Sequence, residues 1–128
     1  MSDASAGMAT RRIVRIMDLA DDPATLAAYD QAHAPGNTPP EVIAAQLRHG
    51  IAELQIYRAG CRLVMLMDVT PDFDPEALDA ERHVQAAIDQ WHVRMGALQR
   101  PPFADGEAWP EAVRVFRQSD HSKETEQA

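Results

Sequence analysis

The chain has very little cysteine and no long hydrophobic run. Cys61 is its only cysteine among 128 residues, which excludes an internal disulfide framework and a thiolate-rich zinc site. No apolar stretch approaches the ~20 residues that a membrane-spanning helix needs. The first residues also lack the basic and apolar segments of a secretory signal. We therefore expect a cytoplasmic protein with no membrane partner.

Basic residues are scarce as well. Lysine and arginine together number 12, against 20 aspartates and glutamates, and the net charge is −8. A protein that binds the phosphate backbone of a nucleic acid needs a basic face. The charge balance therefore argues against a nucleic-acid partner.

Motifs that bind cofactors or metal ions are missing from the sequence. It has no glycine-rich phosphate loop, so nothing supports a nucleotide cofactor. Its histidines show no His-x-His or HExxH pairing, and no cysteine pair assists them. These histidines are His33, His49, His83, His92 and His121. The sequence therefore predicts neither a metal site nor a cofactor.

The composition is that of an ordinary globular domain. Hydrophobic residues make up 45% of the chain and charged residues 25%, and the length suits one domain. Residues 1–10 are mostly small and polar, and residues 119–128 carry no large apolar side chain. Neither end can bury enough surface to offset the entropy lost on ordering. We expect a single folded domain over residues 11–118 between two disordered tails.

Four segments have the composition and length of strands. They are residues 11–19, 51–58, 62–70 and 112–117. The second and third are joined by a short loop containing Gly60, which predicts a hairpin. Residues 63–67 are apolar on both faces, which favours a central strand covered on both sides.

Three segments predict helices, over residues 24–33, 41–49 and 76–99. The first follows an Asp-Pro start, and the second ends before Gly50, a typical residue after a helix C-terminus. The order of elements predicts an α+β fold of the ferredoxin-like βαββαβ plan, with helices on one sheet face. The other face would stay open in a monomer, so we expect a homodimer.

Tyr29 and His33 form the most informative pair of polar residues. A spacing of four places the phenol and the imidazole on adjacent turns of one helix face. A tyrosine with pKa about 10 and a histidine with pKa about 6.5 can move protons near neutrality. The same spacing is also typical of two amphipathic residues at the edge of a core helix, so both interpretations stay open.

Trp91 and His92 form a second candidate pair, late in the long predicted helix. Trp91 falls on the apolar stripe, which is typical of a core residue, but an indole also offers a flat wall to a sugar ring. His92 lies about 100° further round the helix, where a surface position is expected.

Together these residues resemble the L-rhamnose mutarotase family, over about residues 12–117. The matching elements are Tyr29 and His33 followed by Pro40-Glu41, then His49-Gly50 with Ile56-Tyr57, and last Trp91-His92. The chain departs from the family pattern at three positions. Pro39 and Leu54 stand where the family has Trp and Tyr, and His92 stands where it has a second Trp. Because the proton-transfer pair matches and the sugar-reading positions do not, the pattern favours L-fucose over L-rhamnose.

The resemblance implies a cofactor-free isomerase that interconverts the α and β anomers of a 6-deoxy-hexose, on a dimeric α/β-barrel type of fold. His33 takes the family's proton-donor role, and Tyr29 is implied as a substrate contact and possible relay. Trp91, His92 and the position of Leu54 are implied as substrate contacts. Two other functions remain open. One is a cofactor-free oxygenase on the same dimeric plan, and the other is a non-catalytic sugar-binding or regulatory module.

Overall fold

The computed structural model describes residues 9–121. Strand β1 spans Arg11–Leu19, helix α1 Pro23–His33, helix α2 Pro40–Arg48, strand β2 Ile51–Ala59, strand β3 Arg62–Val69, helix α3 Pro75–Arg82, helix α4 Ala86–Leu98 and strand β4 Gln99–Arg100. A short 3-10 helix lies at Gln118–His121. The predicted disordered tails fall largely outside the described residues.

The strands of this region form one antiparallel sheet in the order β2-β3-β1-β4. The pairing of β1 with β3 sets Ile13 opposite Met67 and Met17 opposite Leu63. The predicted central position of β3 is confirmed, and so is the β2–β3 hairpin, whose turn contains Gly60 at φ +60°. The element order and sheet topology establish the α+β, ferredoxin-like fold.

The hydrophobic core lies between one face of the sheet and the helices. Alternate residues of β1 and β3 are buried, as expected when one strand face is covered: Ile13, Met17, Leu19, Leu63, Met67 and Val69. The helices contribute Tyr29, Ala32, Val42, Ala45, Ile88, Trp91 and Met95. Residues of the opposite sheet face, such as Val14 and Leu66, are only half-buried.

Helices α1 and α3 both begin at an aspartate followed by proline. The Asp22 side chain accepts a hydrogen bond from the Thr25 N–H at 2.8 Å, and Asp74 accepts one from the Ala77 N–H at 3.1 Å. Such caps satisfy backbone donors that have no partner within the helix. The Asp22 cap fixes the residue at which α1 begins, and with it the position of Tyr29 on the helix.

Gly50 connects α2 to β2 in a conformation that requires glycine. Its φ is +101°, and a Cβ at this position would lie 2.4 Å from the Phe73 Cα. A side chain is therefore excluded both by the backbone angle and by the neighbouring chain. The prediction of a glycine just beyond the helix end is confirmed, since His49 is the C-terminal cap residue.

The prediction of one long helix over residues 76–99 is wrong. The chain forms α3 and α4 instead, and Gln85 between them has extended backbone angles of φ −116° and ψ 111°. Val84, which the apolar periodicity assigned to the buried stripe, is 80% exposed. The Glu81 carboxylate is held by Arg48 and His49 at the end of α2 and also accepts from Gln85. The contacts of Glu81 with Arg48 and His49 fix the end of α3 against α2.

The prediction of a final strand over residues 112–117 is also wrong. The fourth strand is β4, which pairs with Asp18 and Leu19. Beyond it the chain makes only an isolated bridge between Glu111 and Arg15. Residues 112–117 have strand composition, but within the described residues their contact with β1 is limited to the hydrogen bond from the Ala112 N–H to the Val14 carbonyl, and Val115 is 94% exposed.

No helix within residues 9–121 is long and apolar enough to cross a lipid bilayer. The expected cytoplasmic address stays a prediction.

Candidate active site

A cavity of about 410 Å³ lies between the sheet and helices α1, α2 and α4. Its volume falls within the range of roughly 300–1,000 Å³ that is usual for small-molecule sites. All the site residues predicted from the sequence line it: Tyr29, His33, Leu54, Trp91 and His92. The fold therefore brings together residues from the two ends of the domain, although their roles stay predictions.

Tyr29 and His33 stack against each other on the last turns of α1. Their ring centroids are 4.1 Å apart with planes inclined by 30°. The His33 Nδ1 lies 2.8 Å from the Tyr29 backbone oxygen. Because a carbonyl oxygen only accepts, Nδ1 is the protonated nitrogen of this contact. In the neutral imidazole, Nε2 then keeps a free lone pair.

Burial shifts the pKa of both members of this pair toward their neutral forms. The pKa of His33 is lowered, first by burial and then by the positive charge of Arg94, while the Tyr29 carbonyl and Asp30 oppose this. Burial raises the pKa of Tyr29 to about 12, although the polar side chain of Gln99 opposes the rise. At neutral pH the pair is therefore an uncharged base beside a protonated phenol.

Trp91 belongs to both the core and the cavity. Only 8% of it is exposed, and it packs within the main hydrophobic cluster. Its ring also meets His33 edge-on, with centroids 5.0 Å apart and planes at 66°. The sequence left open whether Trp91 faces the core or a substrate, and the structure shows that it packs in the core and also lines the cavity.

His92 and Leu54 lie on different sides of the cavity. His92 is exposed at the rim, where partial shielding of its ring from water, and then Arg82, lower its pKa. Leu54 projects from β2 on the core-facing side and packs beside Met65 against the smaller hydrophobic cluster. The sheet side of the cavity is therefore apolar at Leu54, the position where the family that this chain resembles has a tyrosine.

Other polar and aromatic residues line the cavity without being predicted by any sequence motif. They are Thr38, Gln46, Glu53, Gln99 and Trp109. No local motif marks them, because they reach the cavity through tertiary structure. Trp109 is the exception, because a tryptophan in a proline-rich connection indicates that this segment packs its aromatic ring against an apolar surface.

The part of the chain that the structure describes contains no cluster of three or more histidine, cysteine or carboxylate side chains arranged to hold a metal ion. What the cavity does present is a stacked phenol and imidazole, an aromatic edge and an apolar floor. That set of groups is suited to proton transfer on a small neutral molecule.

Comparison with known proteins identifies the family. A model of L-rhamnose mutarotase matches residues 12–118. The chain is 43% identical over 115 residues to an L-fucose mutarotase of Xanthomonas campestris pv. campestris, an alignment that covers 88% of this chain and 92% of the relative. Among solved structures, tetracenomycin F2 cyclase from Streptomyces glaucescens, a type-II polyketide cyclase, superposes with a TM-score of 0.51. That likeness covers 84% of this chain and 95% of the cyclase at 16% identity, and it supports the fold alone. The chain belongs to the L-rhamnose mutarotase family and is an isomerase that acts on carbohydrates.

Proposed function

We propose that this mutarotase interconverts the α and β anomers of L-fucose in preference to L-rhamnose, by general acid–base opening of the sugar ring. The observation that carries the proposal is the stacked pair of Tyr29 and His33 on the wall of a cavity large enough for one monosaccharide. The preference for L-fucose rests on the 43% identical relative, which is named L-fucose mutarotase.

His33 is the base of the opening step. Its Nδ1–H is held by the Tyr29 carbonyl, so Nε2 is the nitrogen that accepts a proton. Its lowered pKa keeps the imidazole neutral at physiological pH. Both features favour removal of the proton from the anomeric hydroxyl.

Tyr29 is the acid of the same step. With a pKa of about 12 the phenol keeps its proton until a more basic oxygen develops nearby. The ring oxygen becomes such a group as its bond to C1 breaks. Gln99 supports the phenol, because its side chain acts to lower the Tyr29 pKa and so favours the charge that builds up on the oxygen.

The complete cycle balances without an external reactant. His33 takes the anomeric proton as the bond between C1 and the ring oxygen breaks, and Tyr29 gives its proton to that oxygen. The aldehyde turns about its C1–C2 bond, and the hydroxyl attacks the other face of C1. The tyrosine then recovers its proton while the imidazolium of His33 protonates the new anomeric oxygen. His33 is therefore the proton donor of ring closure, and nothing is oxidised or reduced.

The remaining predicted residues contact the sugar. The edge of Trp91 beside His33 limits where the ring can lie. Leu54 and Met65 provide apolar surface for the methyl group of a 6-deoxy sugar. His92 at the rim is placed to meet a hydroxyl group.

NMR saturation transfer between the two anomeric proton signals tests the proposal. The wild-type protein should accelerate exchange, more for L-fucose than for L-rhamnose, and His33→Ala should reduce that acceleration by about 10²–10⁴-fold. His83→Ala is the matched control, because His83 is exposed at the end of α3 and does not line the cavity. Unchanged exchange of both sugars with the wild-type protein would contradict the proposal. In that case, sugar binding without exchange would favour a non-catalytic module. Oxygen uptake with a quinol would favour an oxygenase.

We also propose that the protein forms a homodimer through the open face of the sheet. Val14, Ile16, Val64 and Leu66 project from this face and are only half-buried in the described chain. Cross-strand ion pairs flank them, Arg12 with Asp68 at one end and Arg62 with Asp18 at the other. The nearby C-terminal segment adds exposed Val113, Val115 and Phe116. An apolar patch rimmed by charge is typical of a protein interface.

Leu66→Glu tests the dimer, because it places a charge in the centre of the open face and leaves the cavity intact. Light scattering at micromolar concentration should give a dimer mass for the wild-type protein and a monomer mass for the variant. Leu47→Glu is the control, since Leu47 is 60% exposed on α2, away from this face. A monomeric wild-type protein would overturn the proposal.

A further inference from the structure

Trp109 stands out in the proline-rich connection that follows β4. Its backbone has φ 55°, the one positive φ found outside glycine in the described residues. For a bulky residue this conformation is uncommon and strained, so it persists only where the surroundings enforce it.

The surroundings here are hydrogen bonds between β1 and the chain at Trp109 and just after it. The Arg15 guanidinium donates to the Trp109 carbonyl at 3.2 Å. The Ile16 N–H donates to the Pro110 carbonyl at 3.1 Å, and the Ala112 N–H donates to the Val14 carbonyl at 2.7 Å. These contacts hold the strained residue against the edge of the sheet, and the proline-rich stretch before it limits other conformations.

The indole held in this way reaches the cavity. Trp109 packs against the main hydrophobic cluster, which contains Tyr29 and Trp91, and also lines the cavity wall. It is half-buried, so part of its surface stays accessible to a ligand. Backbone strain is often retained at ligand-binding positions, and here it places an aromatic surface on the cavity.

We propose that Trp109 is a substrate-contacting residue that favours L-fucose over L-rhamnose, and this rests on the proposed mutarotase function. In L-fucose the axial hydroxyl at C4 leaves the hydrogens of C3, C4 and C5 on one face, where they form a continuous apolar patch. In L-rhamnose the hydroxyl at C4 is equatorial and the C4 hydrogen points to the opposite face, so that patch is interrupted. An indole face binds the continuous patch better, because aromatic contact requires apolar surface without polar groups to desolvate.

The experiment compares Trp109→Ala with the wild-type protein. Dissociation constants for both sugars are taken from titrations of backbone amide signals in ¹⁵N-labelled protein. Trp109→Ala should weaken L-fucose binding about tenfold, while L-rhamnose binding should change by less than about twofold. Phe103→Ala is the matched control, because Phe103 is an exposed aromatic residue of the same connection outside the cavity. It should change neither constant.

A second measurement guards against loss of folding in Trp109→Ala. The chain has two tryptophans, so Trp109→Phe identifies the Trp109 indole N–H signal by its absence. In the wild-type protein that signal should shift during titration with L-fucose. An unshifted signal, unchanged L-fucose affinity, or an equal loss of affinity for both sugars would overturn the inference. If the wild-type protein accelerates anomer exchange of neither sugar, the proposed mutarotase function is wrong. The titration still tests the contact between Trp109 and L-fucose, so the two failures can be distinguished.

Discussion

Two sides of the cavity are held in place by different means. Tyr29 and His33 are four residues apart on α1, so the geometry of a single helix stacks their rings. The second side contains Trp109, whose carbonyl is bound by a side chain 94 positions away in the sequence. The first side needs only local structure, whereas the second exists only when the sheet and the connection after β4 have both formed.

This structural difference matches a division between the residues proposed to transfer protons and the residues proposed to contact the sugar. On the helical side lie a base, an acid and the contacts that adjust their pKa values. The other side contains Trp109, which cannot transfer a proton. Changes on the helical side should therefore reduce the rate of the reaction, and changes on the other side should alter which sugar is bound.

The largest effect in this comparison is expected from Tyr29→Phe. The variant keeps the buried ring and its stacking with His33 but loses the proton that the ring oxygen receives. Anomer exchange should fall by about 10²-fold, with little change in sugar affinity. The measurement is saturation transfer at several sugar concentrations.

Tyr57→Phe provides the control, because Tyr57 is the chain's other tyrosine, is 58% exposed and binds Gln55 through its hydroxyl. It should leave exchange unchanged. Full activity in Tyr29→Phe would show that the phenol has only a structural role and would remove the acid from the helical side.

A smaller, pH-dependent effect tests the base. Protonation of His33 removes its free lone pair, so activity should fall on acidification with a midpoint below 6.5, the ordinary pKa of histidine. The positive charge of Arg94 lowers this pKa and the negative charge of Asp30 raises it. Arg94→Gln should therefore move the midpoint upward, and Asp30→Asn should move it downward.

A pH–rate profile, together with NMR titration of the His33 ring proton, measures both shifts. Movement of the two variants in the same direction would contradict the assignment. A midpoint that follows neither charge would show that another group controls the rate.

The fold could be predicted from the sequence wherever local patterns agree with tertiary structure. The β-branched residues of β1, the Gly60 hairpin and the start of α1 after Asp22 are local signals, and each element lies within a residue or so of its prediction. The break between α3 and α4 had no such signal. It depends on Glu81, whose partners Arg48 and His49 lie more than thirty positions earlier.

The site divides in the same way. The spacing of Tyr29 and His33 already implies a shared helix face. Gln99 and Trp109 carry no recognisable spacing, because they reach the cavity only through β4 and the bridge between Glu111 and Arg15. The sequence also favoured a strand over residues 112–117. Composition alone does not supply the partner strand that such a segment needs.

The smallest expected effect concerns the support of Trp109. Arg15→Met removes the guanidinium that binds the Trp109 carbonyl but keeps a long side chain beside the core. A partly buried hydrogen bond to a charged group contributes roughly 1.5 kcal/mol. The free energy of unfolding should fall by about that amount, and L-fucose binding should weaken about threefold as Trp109 becomes less well held. Arg11→Met is the control, since Arg11 is exposed on the same strand and should change neither value. Denaturant unfolding and the amide titration give both quantities. Loss of stability with unchanged affinity for L-fucose would mean that the hydrogen bond supports the fold without positioning Trp109. The position of Trp109 would then depend on the backbone hydrogen bonds of Pro110 and Ala112 with β1.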